Sequence, residues 1–386
     1  MIRSIKKVVV SGSILSFIMV SIFLIYKNVT MEYLHPARLS TNPTRIPTNP
    51  TRIPTNPTRI PTNPTRIPTN PTRISTNPTR ISTNATRMSK RELLLFVGMH
   101  SAPSRLDRRN AIRETWMKEC QLNPNTVCRF FTDGQDPKGQ ALQGEERTKL
   151  ENESRVYGDI LLAETPGGFN FAIKYLWMMQ WANERYNFRY FLRLDDDYFV
   201  CFHKLMVELE FFRPREKFLW GWLHCTDKVA TWLDEAFYLV SSDIVESFLS
   251  RRDSLFCHVW ESQAIGYWIK NISNLTTFAD NKRLLHIKQE GFSSEKDVAN
   301  RREICYSVLA IHQSYPEKMR MLWRTYEKEN KPIAYQVPSI SYNCKYPLAM
   351  DYMFFRNDKF WFAEPKLCKD NPIWDRSGEY KGRRGS

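Results

Sequence analysis

Three consecutive aspartates, Asp195, Asp196 and Asp197, follow a mostly apolar and aromatic run in RYFLRLDDDYFV, residues 189–200. Adjacent carboxylates repel each other and resist leaving water, so something must hold them there. A divalent cation would remove the repulsion. Hard oxygen ligands of this kind suit Mg²⁺ or Mn²⁺, and either ion bridges naturally to a substrate diphosphate. The competing reading is a solvated turn capped by an aspartate side chain.

The elements around the aspartates decide where they stand. ELLLFVG (92–98), VCRFF (127–131), DILLA (159–163) and YFLRL (190–194) read as short buried strands. RLDRRNAIRETWM (105–117) has helical composition with a basic first half. Between Asn170 and Tyr186 the residues Ile173, Leu176, Trp177 and Trp181 share one helical face. Strands alternating with helices predict an α/β fold with a mostly parallel sheet, whose ligands sit outside the carboxyl ends of the strands. The aspartates fall at that edge.

Ahead of this unit the chain carries other signals. Residues 8–26, VVVSGSILSFIMVSIFLIY, are uncharged and would span roughly 28 Å as a helix, close to a bilayer core. Arg3, Lys6 and Lys7 precede them, so the positive-inside bias keeps residues 1–7 cytosolic and sends the chain after Lys27 across the membrane. The reading is an uncleaved single-pass type II anchor rather than a signal peptide, because no clean small-x-small cleavage site follows. From Thr41 to Ser89 the heptapeptide TNPTRIP recurs with drift, and its prolines exclude a helical heptad, so residues 27–90 are expected to be an extended stem.

Composition narrows the function classes. The net charge is +15, but seven arginines of the repeat supply nearly half of it, which argues against nucleic acid as the partner. Eight cysteines lie beyond the anchor with no CxxC pair, favouring disulfides over zinc, with connectivity left open. Glycosylation sequons stand at Asn28, Asn84, Asn152, Asn271 and Asn274.

RLDRRNAIRETW, ESRVYGDILLAETPGGFNFAIKYLW, FLRLDDDYFV and WESQAIGYW occur in the order and approximate spacing of the β1,3-glycosyltransferase family, which includes galactosyl-, N-acetylglucosaminyl- and Fringe-type enzymes. FFTDG (130–134) resembles the Fringe branch. The resemblance runs from about Glu92 to Trp323 and defines an expected glycosyltransferase domain at 91–323. It implies a GT-A fold, type II Golgi anchoring with a lumenal catalytic domain, a UDP-sugar donor, and a glycoprotein or glycolipid acceptor. It also implies Mn²⁺, or Mg²⁺, held by Asp195 and Asp197 with Asp196 between them. Arg105, Arg108, Arg109 and Arg113 match the basic nucleotide-binding positions, with some of them expected to pair with Asp107, Glu114 or the sheet edge. Lys174 is either a phosphate neighbour or a solvated helix residue. His312 is the implied third metal ligand, with His286 as the alternative.

The expected chemistry is inversion at the anomeric carbon, which needs a carboxylate to take the acceptor's proton. The family places an acidic pair in EDVxxG. Here WESQAIG keeps Glu261 but has Ser262 in the second position. Either Glu261 takes the role, or Asp234 or Glu235 of LDEAF reaches in, or transfer is impaired and the chain is a non-catalytic lumenal chaperone or glycan-binding relative. Residues 324–386, aromatic-rich and carrying Cys344 and Cys368, are left without a role.

Overall fold

The computed structural model describes residues 89–225, 230–286, 304–328, 336–350 and 365–374. The expected anchor and the repeats up to Met88 lie outside them, as do Asn28 and Asn84. Among the described residues no helix is long and apolar enough to cross a membrane.

The first half follows the sequence closely. β1 (Arg91–His100) is buried from Leu93 onward, as a central strand covered on both faces must be. It lies parallel to both β2 (Thr126–Asp133) and β4 (Tyr186–Asp195), and β3 (Ile160–Ala163) lies parallel to β2. Side chains alternate across the sheet: Val97, Met99, Leu192 and Leu194 enter one core, Phe96 and Phe191 the other. The registers place His100 opposite Asp195 and Asp133 opposite Ala163, so four strands end at one edge.

The expected helix 105–117 is two helices, α1 (Leu106–Glu114) and α2 (Met117–Leu122). Thr115 leaves helical geometry at φ −120° and ψ −125°, and its hydroxyl donates to the Ala111 carbonyl at 2.6 Å. The break lets Trp116 insert completely and donate Nε1–H to the Tyr198 carbonyl at 2.9 Å, fixing the turn after the aspartates. After α3 (Gly144–Tyr157), α4 (Phe171–Arg185) covers the second face. On it Ile173 and Leu176 are fully buried, while Trp177 and Trp181 pack partly buried against the same core. Gly98 permits that approach, since a Cβ there would lie 2.1 Å from Met178 Sδ.

Beyond β4 the chain reverses. A short β5 (Phe199–Val200) leads to α5 (Phe202–Phe211) and to β6 (Phe218–Cys225). The long β7 (Ala230–Ser241) runs antiparallel to both β4 and β6. α6 (Ser242–Ser250), β8 (Phe256–Cys257) and α7 (Glu261–Trp268) follow, and β9 (Thr276–Ala279) joins parallel to β6. The sheet order is β3-β2-β1-β4-β7-β6-β9, a mixed sheet with a parallel first half. A second, small sheet pairs β10 (Leu284–Leu285) with β11 (Ala310–Ile311) and β11 with β5; α8 (Ile304–Ser307) precedes β11 and α9 (Pro316–Lys328) follows it. Ile311 opposite Phe199 carries His312 to Asp197.

All eight cysteines pair, as Cys120–Cys128, Cys201–Cys305, Cys225–Cys344 and Cys257–Cys368. Two of these bonds tie the C-terminal extension to the domain. β12 (Ala349–Met350) pairs with β7 and β13 (Lys366–Leu367) with β8, while the buried Trp374 donates its backbone N–H to Asn170 Oδ1 at 3.3 Å. Among its described residues, Tyr326, Cys368 and Trp374 of the segment that sequence left without a role are buried in the domain. Cys257 and Cys368 are 111 residues apart, and closing a loop of that size removes about 4–5 kcal/mol of unfolded-state entropy. Replacing both with serine should lower unfolding free energy by about 2–4 kcal/mol in urea titration, and an unchanged midpoint would show that the extension is only loosely attached.

Candidate active site

At the end of β4 the three aspartates diverge. Asp195, 33% exposed, accepts a 2.5 Å hydrogen bond from Arg193 Nη1. Asp196 turns toward α1 and accepts from Ser101 Oγ at 2.7 Å and Arg108 Nη1 at 3.0 Å. Asp197 Oδ2 accepts from Arg108 Nη1 at 3.2 Å, and its Oδ1 lies 3.2 Å from His312 Nε2. Two guanidiniums and an imidazole therefore offset the repulsion among three neighbouring carboxylates. Burial pushes Asp195 and Asp196 up to about 6. At Asp197 burial is outweighed by His312 and Arg108, which hold it below the usual carboxylate range.

The residues present fit a divalent cation. His312 Nδ1 faces the His286 carbonyl at 3.2 Å; a carbonyl can only accept, so Nδ1 carries a proton and Nε2 is the nitrogen turned toward Asp197. The ring is clamped between Tyr198 and His286, with centroids 4.7 and 4.9 Å away. Asp197 Oδ1 is buried and makes no well-formed hydrogen bond. Against burial, Asp197 raises the affinity of His312 for a proton, and a divalent cation would take the place of that proton between Nε2 and Oδ1. Asp195, Asp197 and His312 each offer one ligand atom, all within 4.8 Å of one another, and two carboxylates with one imidazole suit Mn²⁺ or Mg²⁺. His286, the alternative ligand, positions His312 instead and points its own Nε2 at Asp234 Oδ2, 3.1 Å away.

Behind the aspartates lies a closed box. Arg193 is 1% exposed and ion-paired to Glu261 through Nε and to Asp195 through Nη1. Glu261, at the start of α7, is fully enclosed; it accepts from the Tyr238 hydroxyl at 3.0 Å and lies 3.5 Å from His100 Nε2. Burial drives His100 well below its ordinary range, so it is neutral. Burial raises the affinity of Glu261 for a proton, and the neighbouring Arg193 opposes that and holds the ion pair. Glu261 is therefore placed as a buried anchor. Its neighbour Ser262 donates a 2.6 Å hydrogen bond to Glu235 Oε2 from β7. Glu235 is half-buried as a residue and its carboxylate stands against position 262. Burial and Asp234 push it up to about 7.

The basic residues of α1 divide. Arg108 is at the aspartates, and Arg105 sits half-buried just before the helix. Arg109 and Arg113 do not face a nucleotide. Arg109 is fully buried, bidentate to Glu153 and bonded to the Ala102 and Pro103 carbonyls. Arg113 is bound to Glu153 and bidentate to Asp159. Their partners are Glu153 of α3 and Asp159, just before β3, not Asp107, Glu114 or the sheet edge; Glu114 pairs with Arg320. Lys174 is neither solvated nor open to a phosphate. It is buried and pinned to Asp133 Oδ1 at 2.9 Å and the Gly168 carbonyl at 2.7 Å.

Residues 107–231 match the galactosyltransferase family model. The chain is 29% identical over 202 residues to β1,3-galactosyltransferase 6 of Mus musculus, covering 47% of this chain and 61% of that protein. In this region the chain is similar to β1,3-glycosyltransferases. It is also 33% identical over 127 residues to lactosylceramide 1,3-N-acetyl-β-D-glucosaminyltransferase of Rattus norvegicus, covering 31% of this chain and 33% of that one. Hydroxyproline O-galactosyltransferase GALT5 of Arabidopsis thaliana is 23% identical over 262 residues, covering 62% and 36%. The chain thus spans less than two thirds of the length of these relatives. A solved glycosyltransferase involved in glycosylation of the major capsid of PBCV-1 aligns with TM-score 0.35 and 14% identity, covering 59% of this chain and 98% of that one, too loosely to define a shared fold.

Sequence reasoning missed Arg193 and Asp133. A lone arginine inside FLRL, where a central strand should be apolar, was the available signal for Arg193. Asp133, in the stretch resembling the Fringe branch, braces the loop before α4 by accepting from the Gly168 N–H at 2.9 Å as well as from Lys174. Replacing Arg193 by Met should cost about 3–5 kcal/mol, because it strands the Glu261 charge in the core. Adding Glu261→Met should recover much of that loss in chemical denaturation. A single variant of wild-type stability would mean that the buried pair carries no such constraint.

Proposed function

We propose that the protein moves galactose or an N-acetylhexosamine from a UDP-sugar to a hydroxyl of a glycoprotein or glycolipid glycan, in β1,3 linkage with inversion. The observation that carries the reading is the convergence of Asp195, Asp197 and His312 at the carboxyl edge of the sheet, within 4.8 Å of one another. Mn²⁺ or Mg²⁺ held by these three residues would offset the charge developing on the departing diphosphate. Arg108, already bound to two of the aspartates, keeps them oriented, and Arg105 stands at the same edge as a candidate phosphate contact.

The acceptor hydroxyl is a poor nucleophile at neutral pH and must lose its proton as it attacks opposite the leaving UDP. Glu235 supports that role better than Glu261. Its carboxylate is oriented by Ser262, has an affinity for protons near neutrality and carries no ion pair with an arginine, whereas Glu261 is sealed in one. Asp234 is engaged by His224 and His286. Ser262 alone would favour a non-catalytic relative, but Glu235 against its hydroxyl restores a carboxylate at that place. The apolar segment 8–26, the four disulfides and the exposed sequons at Asn152, Asn271 and Asn274 support a type II Golgi protein with this domain in the lumen.

Two measurements test the reading. Asp197→Ala should weaken Mn²⁺-dependent UDP binding by about 10² or more in calorimetry while the thermal melt stays cooperative; unchanged affinity would refute the metal assignment. Glu235→Gln keeps shape and hydrogen bonding but removes the proton acceptor, so kcat should drop by about 10² to 10⁴ with UDP affinity held within roughly twofold. Near-normal turnover in that variant would return the role to another carboxylate.

A further inference from the structure

A second group of ligating side chains lies beside the aspartates. His224 is the penultimate residue of β6, Asp234 is on β7, and His286 follows β10. His224 Nε2 and His286 Nε2 both address one oxygen, Asp234 Oδ2, at 2.9 and 3.1 Å. The three ligand atoms lie within 4.8 Å of one another. Asp234 Oδ1 is occupied by the Ala236 N–H at 2.9 Å, which fixes the carboxylate and leaves Oδ2 for the two rings.

The imidazoles are held by packing rather than by hydrogen bonds at their far nitrogens. His224 stacks on Trp232 with centroids 4.9 Å apart and meets Trp222 edge-on at 4.6 Å. His286 lies between Trp222 at 4.9 Å and His312 at 4.9 Å. His286 is 10% exposed, and its Nδ1 is buried without a hydrogen-bond partner. Either tautomer leaves an unsatisfied group, which is costly for a group turned only toward Asp234.

We propose that His224, Asp234 and His286 form a second divalent-cation site, selective for Zn²⁺, distinct from the Asp195, Asp197 and His312 site. Two imidazoles and one carboxylate oxygen are a nitrogen-rich set suited to zinc, whereas the neighbouring set is oxygen-rich. With bonds of about 2.0–2.1 Å, tetrahedral zinc needs ligand atoms about 3.4 Å apart, so 2.9 and 3.1 Å require an opening of only a few tenths of an ångström. Three protein ligands leave a fourth position, and His224, 28% exposed, opens it to solvent. The ion would clamp β7 to β6 and to the end of β10, one residue from Glu235.

The test uses Zn²⁺ alone, with no donor or acceptor, so it stands or fails independently of glycosyl transfer. The full-length chain is dialysed at neutral pH against micromolar Zn²⁺ and bound metal is counted, and Co²⁺ replaces zinc to give the visible absorption of a tetrahedral nitrogen–oxygen site. One tightly held zinc is expected in the wild type and in Asp197→Ala, with affinity weakened about 100-fold or more in His224→Ala. His224→Gln, checked by circular dichroism, guards against a folding defect, and anomalous scattering from zinc-soaked wild-type crystals should place the ion among the three side chains. No zinc in the wild type, undiminished zinc in His224→Ala, or loss in Asp197→Ala would each overturn the proposal.

Discussion

A single buried cation sets the geometry of the whole edge. Arg193 is 1% exposed in the middle of the sheet, and removing a guanidinium from water costs several kcal/mol even after relaxation. It stays because Glu261 and Asp195 both pair with it, one from α7 and one from its own strand. Satisfying that charge locks α7 against β4 and fixes the direction in which the first aspartate leaves the strand. It also consumes Glu261, so a family acid that stands in the right place in sequence is withdrawn from solvent chemistry.

With Glu261 committed, the character of the neighbouring position decides what the pocket can do. Serine at 262 cannot accept a proton at neutral pH, but its hydroxyl can hold a carboxylate that comes from elsewhere. Glu235 arrives from β7, where the strand passes antiparallel to β4. The carboxylate at this place therefore comes from a strand, not from the helix that carries Ser262. The placement relies on β7 being a rigid interior strand rather than a loop, which keeps Glu235 in register with position 262.

The strands at 92–98, 127–131, 159–163 and 190–194 were legible because each is a short apolar run between polar breaks, and their parallel order followed from the intervening helices. The aspartate edge was legible for the same reason. What escaped was long-range charge pairing. Arg109 and Arg113 sit on a helical stripe that predicts local partners or a ligand, yet Glu153 and Asp159, 40 to 46 residues away in sequence, take them. Local periodicity carries no information about which distant acid meets a given base. The same applies to Lys174 with Asp133 and to the extension, whose place depends on cysteine pairings that spacing cannot assign.

Position along the edge also sorts the histidines. Both 286 and 312 follow two-residue strands of the small sheet, and parallel pairing of Leu285 with Ile311 sets their rings face to face, 4.9 Å apart. They are not equivalent. The carbonyl of His286 fixes the proton on His312 Nδ1 and so aims Nε2 at Asp197, whereas His286 directs its own Nε2 to Asp234. Stacking therefore separates two nitrogens that act on different carboxylates while tying their positions together through one backbone group. A shift of the β10 end would move both rings at once, so the arrangement of the acidic site and that of the histidine-rich group are coupled by the short sheet.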